Sequence, residues 1–271
     1  MLLAAAFLAL SQVPAAAQTT AAQTAAGRLL PLPQDAVAYI PASAPAHPPL
    51  LVLLHGAGHR QLEMVQHFEA EADARGIVLL APVSRGITWD AVSIAEEPPS
   101  QDSPLANRLS HRFGTSADAR RVEAAIAALE RQVLVDPRRI TLSGFSDGAT
   151  FALAMGMSRN TPFASVIAWS PGIAIRTEDP AHGRRVFISH GRADPILKFQ
   201  TTCSEIVPLV QSEGANVTFL PFDGGHDAPV WLKDTFLDAA FGRVAGSQAH
   251  ALPATVEKCA GAKAEVPKLP G

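Results

Sequence analysis

The stretch Arg139-Ile140-Thr141-Leu142-Ser143-Gly144-Phe145-Ser146-Asp147-Gly148-Ala149-Thr150-Phe151-Ala152-Leu153 decides the fold. Arg139 to Ser143 reads as a strand and Asp147 to Met157 as a helix. Between them, Gly144-Phe145-Ser146-Asp147-Gly148 matches G-x-S-x-G, the nucleophile elbow. In that motif the glycines permit a strained strand-to-helix turn, which lifts a serine hydroxyl above the sheet at a helix N-terminus. Five residues of this pattern arise by chance in many sequences. A strand before it and a helix after it are the context that gives it meaning. Ser146 is therefore the candidate nucleophile.

Outward from this turn, strands and helices alternate. Leu50-Leu51-Val52-Leu53-Leu54 is an unbroken apolar run, as expected of a strand buried on both faces of a parallel sheet. Gln61 to Ala74 reads as a helix and Ile77 to Leu80 as a second buried strand. Val122, Ile126, Leu129 and Val133 recur at helical spacing, and Pro137 ends that helix. Ala164–Trp169, Arg185–Ser189 and Val217–Pro221 read as strands, with helices over Thr201–Ser212 and Pro229–Phe241. The alternation predicts a mostly parallel sheet with helices on both faces. Ser84 to Gly114 has no clear period and reads as a long functional loop.

A serine hydroxyl needs a base to take its proton, and the base needs a carboxylate to orient it. Where the elbow occurs, the chain order is Ser, then Asp or Glu, then His. His226, in Phe222-Asp223-Gly224-Gly225-His226 after the last strand, is the candidate base. His250 lies in the unpatterned tail, and His182 and His190 come too early to follow the acid. Asp194, just after a buried strand in His190-Gly191-Arg192-Ala193-Asp194-Pro195, is the candidate acid, with Asp179 its rival. His55-Gly56-Ala57-Gly58 follows the first strong strand, so the backbone N–H groups of Ala57 and Asp147 are assigned to an oxyanion hole. Trp89 and Asp90 in the long loop are expected to contact substrate; the alternative for Trp89 is a core aromatic.

Composition bounds the remaining possibilities. The chain has 271 residues, 48% of them apolar, and a formal net charge of −3, which suits a single globular domain and offers no basic field for nucleic acid. Residues 1–27 carry no charged side chain. Within them Leu2 to Leu10 is apolar, too short to span a bilayer but suited to a signal-peptide core, and Ala15-Ala16-Ala17 offers a cleavage site. No Lys or Arg precedes the apolar run. The expected layout is a signal peptide at 1–17, a flexible leader at 18–35, a catalytic domain at 36–245 and a tail at 246–271. Export to the periplasm or medium follows. No membrane span, cofactor or metal site is expected; C-x-x-C and H-E-x-x-H are both missing from the sequence. In an exported protein the two cysteines, Cys203 and Cys259, are free to form a disulfide.

Several motifs together resemble the phospholipase/carboxylesterase-type serine esterases. They are Pro49-Leu50-Leu51-Val52-Leu53-Leu54-His55-Gly56, Thr88-Trp89-Asp90, Gly144-Phe145-Ser146-Asp147-Gly148-Ala149 and Ser170-Pro171-Gly172. His190-Gly191 with Asp194, Cys203-Ser204 with Ile206-Val207-Pro208, and Phe222-Asp223-Gly224-Gly225-His226 complete the set, over about residues 48–242. The resemblance implies an α/β-hydrolase fold without a large cap, hydrolysis of small carboxylic esters, and a triad of Ser146, Asp194 and His226. A polyester depolymerase or feruloyl-type esterase, and a binding protein on a hydrolase scaffold, are the other readings.

Overall fold

In the computed structural model, which describes residues 27–92, 110–111, 116–244 and 251–252, the apolar run Leu50–Leu54 forms strand β3 inside an eight-stranded sheet. Successive side chains of a strand point to opposite faces, and both faces of β3 are covered. Leu50, Val52 and Leu54 join one core with Val122, Ile126 and Leu129 of α2 (Ala117–Glu130) and Phe151 of α3 (Asp147–Gly156). Leu51 and Leu53 join another with Val65 and Phe68 of α1 (Gln61–Arg75) and Leu232 and Phe236 of α4 (Val230–Phe241). A run with no polar alternation is what a strand in this position requires.

The sheet order is β1-β2-β4-β3-β6-β7-β9-β10. Here β1 is Arg28–Pro31, β2 Val37–Ile40, β4 Val78–Ala81, β6 Ile140–Phe145, β7 Ser165–Trp169, β9 Arg185–Gly191 and β10 Asn216–Phe222. From β4 to β10 every neighbouring pair is parallel, while β1–β2 and β2–β4 are antiparallel. This is the expected α/β architecture. The parallel strands direct their C-terminal ends to one edge, where ligands bind in such sheets. The ends of β3, β6, β9 and β10 carry His55, Ser146, the Asp194 loop and the His226 loop respectively.

Four details differ from the sequence reading. The leader was expected to stay flexible to residue 35, but Arg28–Pro31 pairs with Val37–Ile40 and Pro33–Asp35 forms a short 3₁₀ turn. The four residues of β1 carry no pattern that announces a strand; they become one by pairing with β2 at the sheet edge. Helix α2 ends at Glu130, so Val133 lies beyond it. The helix expected over 201–212 is a continuous helical stretch: Phe199–Thr201, a π-type segment Thr202–Ile206, then Val207–Ser212. Two short strands, β5 (Ser110–His111) and β8 (Arg176–Thr177), pair in parallel. The signal segment 1–17, most of the loop 93–115, Cys259 and most of the tail lie outside the described residues. No helix among those described is long and apolar enough to cross a membrane.

Candidate active site

The turn after β6 is tight because two glycines let backbone touch backbone. A Cβ on Gly144 would sit 2.0 Å from the Gly148 carbonyl oxygen. A Cβ on Gly148 would sit 2.3 Å from the carbonyl oxygen of Leu54. Squeezed between them, Ser146 adopts φ 57°, ψ −121°, outside the helical and extended regions that side chains favour. Such a conformation costs on the order of 1–3 kcal/mol and persists only where its surroundings over-determine it. Those surroundings are specific. The Ser146 N–H donates to Trp169 O at 2.9 Å, and its carbonyl accepts from Ala149 and Thr150 in the first turn of α3. The side chain is thereby presented at a helix N-terminus.

His226 and Asp194 meet because their loops are stitched together. Arg192 N donates to Phe222 O and Ala193 N to Gly224 O, and a Cβ on Gly191 would lie 2.1 Å from Gly225 O. The Nδ1 of His226 then lies 2.6 Å from Asp194 Oδ2. The other carboxylate oxygen, Oδ1, accepts the N–H groups of Ile196 at 2.8 Å and Leu197 at 2.9 Å. The Asp194 side chain is wholly buried. Burial pushes its carboxyl up, but the hydrogen bonds from His226, Leu197 and Ile196 outweigh that and hold it below the usual carboxylate range. An ionised acceptor on Nδ1 leaves the Nε2 of His226 free to act as a base. Asp179, the rival acid, is half-exposed and paired with Arg159 at 3.0 Å.

Ser146 and His226 border one cavity of about 480 Å³, together with Gly56 and Ala57. Met64, Phe68, Phe145, Trp169, Ile196 and Ala228 give it apolar walls, while Arg60, Glu63, His67 and Asp227 supply polar groups. The ring of Phe145 lies 4.7 Å from that of His226.

Both assigned oxyanion donors are held from behind. His55 accepts the Ser84 N–H on Nε2 at 3.2 Å, so its proton sits on Nδ1 and is given to Gly56 O at 2.5 Å. Burial lowers the pKa of His55 and keeps it neutral in this role. Across a trans peptide, C=O and N–H point in opposite directions. Fixing Gly56 O therefore fixes the direction of the Ala57 N–H. On the other arm, Thr88 Oγ1 donates to Asp147 Oδ2 at 2.6 Å.

Trp89 and Asp90 are corrected here. Neither borders the cavity. Trp89 is fully buried, stacked on Phe151 at 4.9 Å, with its indole N–H on His55 O. Asp90 accepts from Ser116 Oγ and the N–H groups of Ala117 and Asp118 at the start of α2. An aromatic beside an acid in a long loop reads as a ligand contact, yet here one fills the core and the other satisfies orphan donors of a helix. Conversely, the sequence assigns no role to His55 or Thr88 and excludes His190 as the base. His55 and Thr88 sat inside quoted motifs, but only their partners give them a role. Cys203 is disulfide-bonded. Among the described residues no group of three or more His, Cys, Asp or Glu side chains is placed to hold a metal ion.

A mostly parallel sheet whose central strand ends in this strained serine turn is the α/β-hydrolase fold. Within it, the chain belongs to the Phospholipase/Carboxylesterase family, which it matches over residues 36–230. Over 184 residues it is 31% identical to NocK of Nocardia uniformis subsp. tsuyamanensis, a protein bearing an esterase name; this covers 63% of the chain and 48% of NocK. It is 32% identical over 72 residues to acyl-protein thioesterase 1 of Mycosarcoma maydis, covering 24% of the chain and 30% of that protein. The chain thus spans about half or less of the length of these curated relatives. Among solved structures, LpqC of Bordetella parapertussis, a poly(3-hydroxybutyrate) depolymerase, is similar with a TM-score of 0.60. That match covers 81% of this chain and 92% of LpqC at 17% identity, a likeness of fold.

Proposed function

We propose that this protein is a serine esterase that hydrolyses small carboxylic esters through an acyl-enzyme on Ser146. The observation that carries the reading is the 2.6 Å contact from Asp194 to His226, with His226 and the strained Ser146 on the same cavity. Ser146 Oγ attacks the ester carbonyl while His226 Nε2 takes its proton. Asp194 holds the proton of His226 on Nδ1 and stabilises the imidazolium that forms. The N–H groups of Ala57 and Asp147 receive the oxyanion, each worth about 10²–10³ in rate. His226 then protonates the departing alcohol, and water, deprotonated by His226, releases the acid.

A cavity of about 480 Å³ with apolar walls and a few polar groups suits a short acyl chain and a small alcohol. The protein is proposed to work outside the cytoplasm. Supporting this are the apolar leader and the disulfide on Cys203, since such bonds persist in oxidising compartments. Sequencing the N-terminus of protein recovered from the periplasm or medium tests export, and an intact Met1 in the cytosolic fraction would refute it.

The deciding experiment is labelling with a fluorophosphonate probe, followed by peptide mapping. An adduct on Ser146 is expected; an adduct elsewhere or none refutes the mechanism. A panel of p-nitrophenyl esters from C2 to C16, with a thioester and a polyester film, then reads the substrate. The shortest esters should turn over fastest, and preference for the film would reassign the protein as a depolymerase.

A further inference from the structure

A second histidine reaches the carboxylate that orients His226. The ring of His190, on β9 four residues before Asp194, is fully buried, and its Nε2 lies 3.1 Å from Asp194 Oδ2. This is the same oxygen that faces His226 Nδ1. Nε2 also faces Leu197 O at 3.0 Å, so both of its neighbours are acceptors. A lone pair there would confront two oxygens; Nε2 must carry a proton. The other nitrogen, Nδ1, faces the hydroxyl of Thr202 at 2.7 Å. Thr202 is itself buried and donates to Pro171 O at 2.9 Å.

We propose that His190 is a positioning residue of the active site: its Nε2–H donates to Asp194 Oδ2 and holds that oxygen on the Nδ1–H of His226. The inference rests on the triad reading above. With His190 in place the carboxylate faces a donor on every side, the Nε2–H of His190 (shared with Leu197 O) and His226 on Oδ2, Ile196 and Leu197 on Oδ1. It cannot rotate without losing one of them. The titratable groups facing His190 are Asp194 and His226, and burial lowers the pKa of His190, favouring the uncharged ring. That matters for the mechanism. An uncharged donor steadies Asp194 without cancelling its charge, whereas an imidazolium at this place would compete with the one that forms on His226.

The test uses the full chain with ¹⁵N-labelled histidine and two variants. In the wild-type spectrum His190, assigned by its loss in His190→Gln, should carry a proton on Nε2; a ring protonated on Nδ1 alone overturns the proposal. His190→Phe keeps an aromatic ring and removes the donor. Its kcat on p-nitrophenyl acetate should fall about 10- to 100-fold, the worth of one hydrogen bond to a charged group. Its KM should stay within about twofold. His190→Gln, whose amide N–H can reach Asp194, should recover most of the loss. A folded Phe variant with wild-type kcat, or a Gln variant as slow as Phe at equal melting temperature, overturns the proposal. Should the Phe variant fail to fold, the proton on Nε2 and the Gln kinetics still decide: a folded Gln variant slower than wild type by more than about tenfold overturns the proposal. Failure of the triad reading looks different: wild-type protein would then take no fluorophosphonate on Ser146.

Discussion

The indole N–H of Trp89 donates to the carbonyl oxygen of His55 at 2.8 Å, tying the loop after β4 to the end of β3. Thr88, one residue earlier, ties the same loop to Asp147 at the start of α3. Thr88 and Trp89 therefore brace both arms of the proposed oxyanion hole without bordering the cavity. Trp89→Phe keeps a ring against Phe151 but leaves the buried His55 carbonyl without its donor. We expect a loss of about 1–3 kcal/mol in unfolding free energy and a lower kcat, with KM within about twofold. Chemical denaturation and steady-state kinetics check this. A tenfold rise in KM at unchanged kcat would restore Trp89 as a substrate contact.

Gly148→Ala should be severe. The added methyl would lie 2.3 Å from Leu54 O and 2.5 Å from His55 O, both backbone atoms that cannot yield without moving β3. The expected outcome is a fall in melting temperature together with loss of Ser146 labelling. A variant labelled at the wild-type rate would mean that the elbow relaxes freely.

Asp194→Asn should cost several orders of magnitude in kcat, since the amide leaves the imidazole in the wrong tautomer; about 10⁴ is the loss known for one such triad. Asp179→Asn should cost less than about tenfold, because Asp179 pairs with Arg159 at the surface. The reverse pattern at equal melting temperature would move the acid to Asp179.

Asp194 also gives a pH dependence of known sign. Its carboxyl is held below the usual range in the folded protein, against about 3.9 when unfolded. The folded state thus favours the ionised form. This contribution is complete above the unfolded value and disappears as pH falls through the depressed folded one. Buried Asp118 and Glu213, both pushed up by burial, act in the opposite sense, so the wild type alone will not isolate it. The difference in denaturation midpoint between wild type and Asp194→Asn should be constant from about pH 6 to 8 and shrink below about pH 4. A difference that grows on acidification would refute the ionised, hydrogen-bonded carboxylate.

What the sequence by itself determined is local. Leu50–Leu54 can only be a strand covered on both faces, because no polar residue interrupts it. Gly144 and Gly148 around Ser146 dictate a turn too tight for side chains, and the order Ser146, Asp194, His226 follows from where each loop leaves a strand. Such features depend on period, backbone freedom and chain order, which neighbouring residues carry between them. The tertiary structure decided everything that depends on who faces whom. Trp89 is equally able to line a pocket or fill a core; Phe151, 62 residues away, and the His55 carbonyl chose the core. His190 was set aside as a base because it precedes the acid, yet the turn between them brings its Nε2 onto that acid. Arg28–Pro31 became a strand only because β2 stood ready to pair with it. A hydrogen bond acts within about 3 Å, and sequence distance is no measure of that separation.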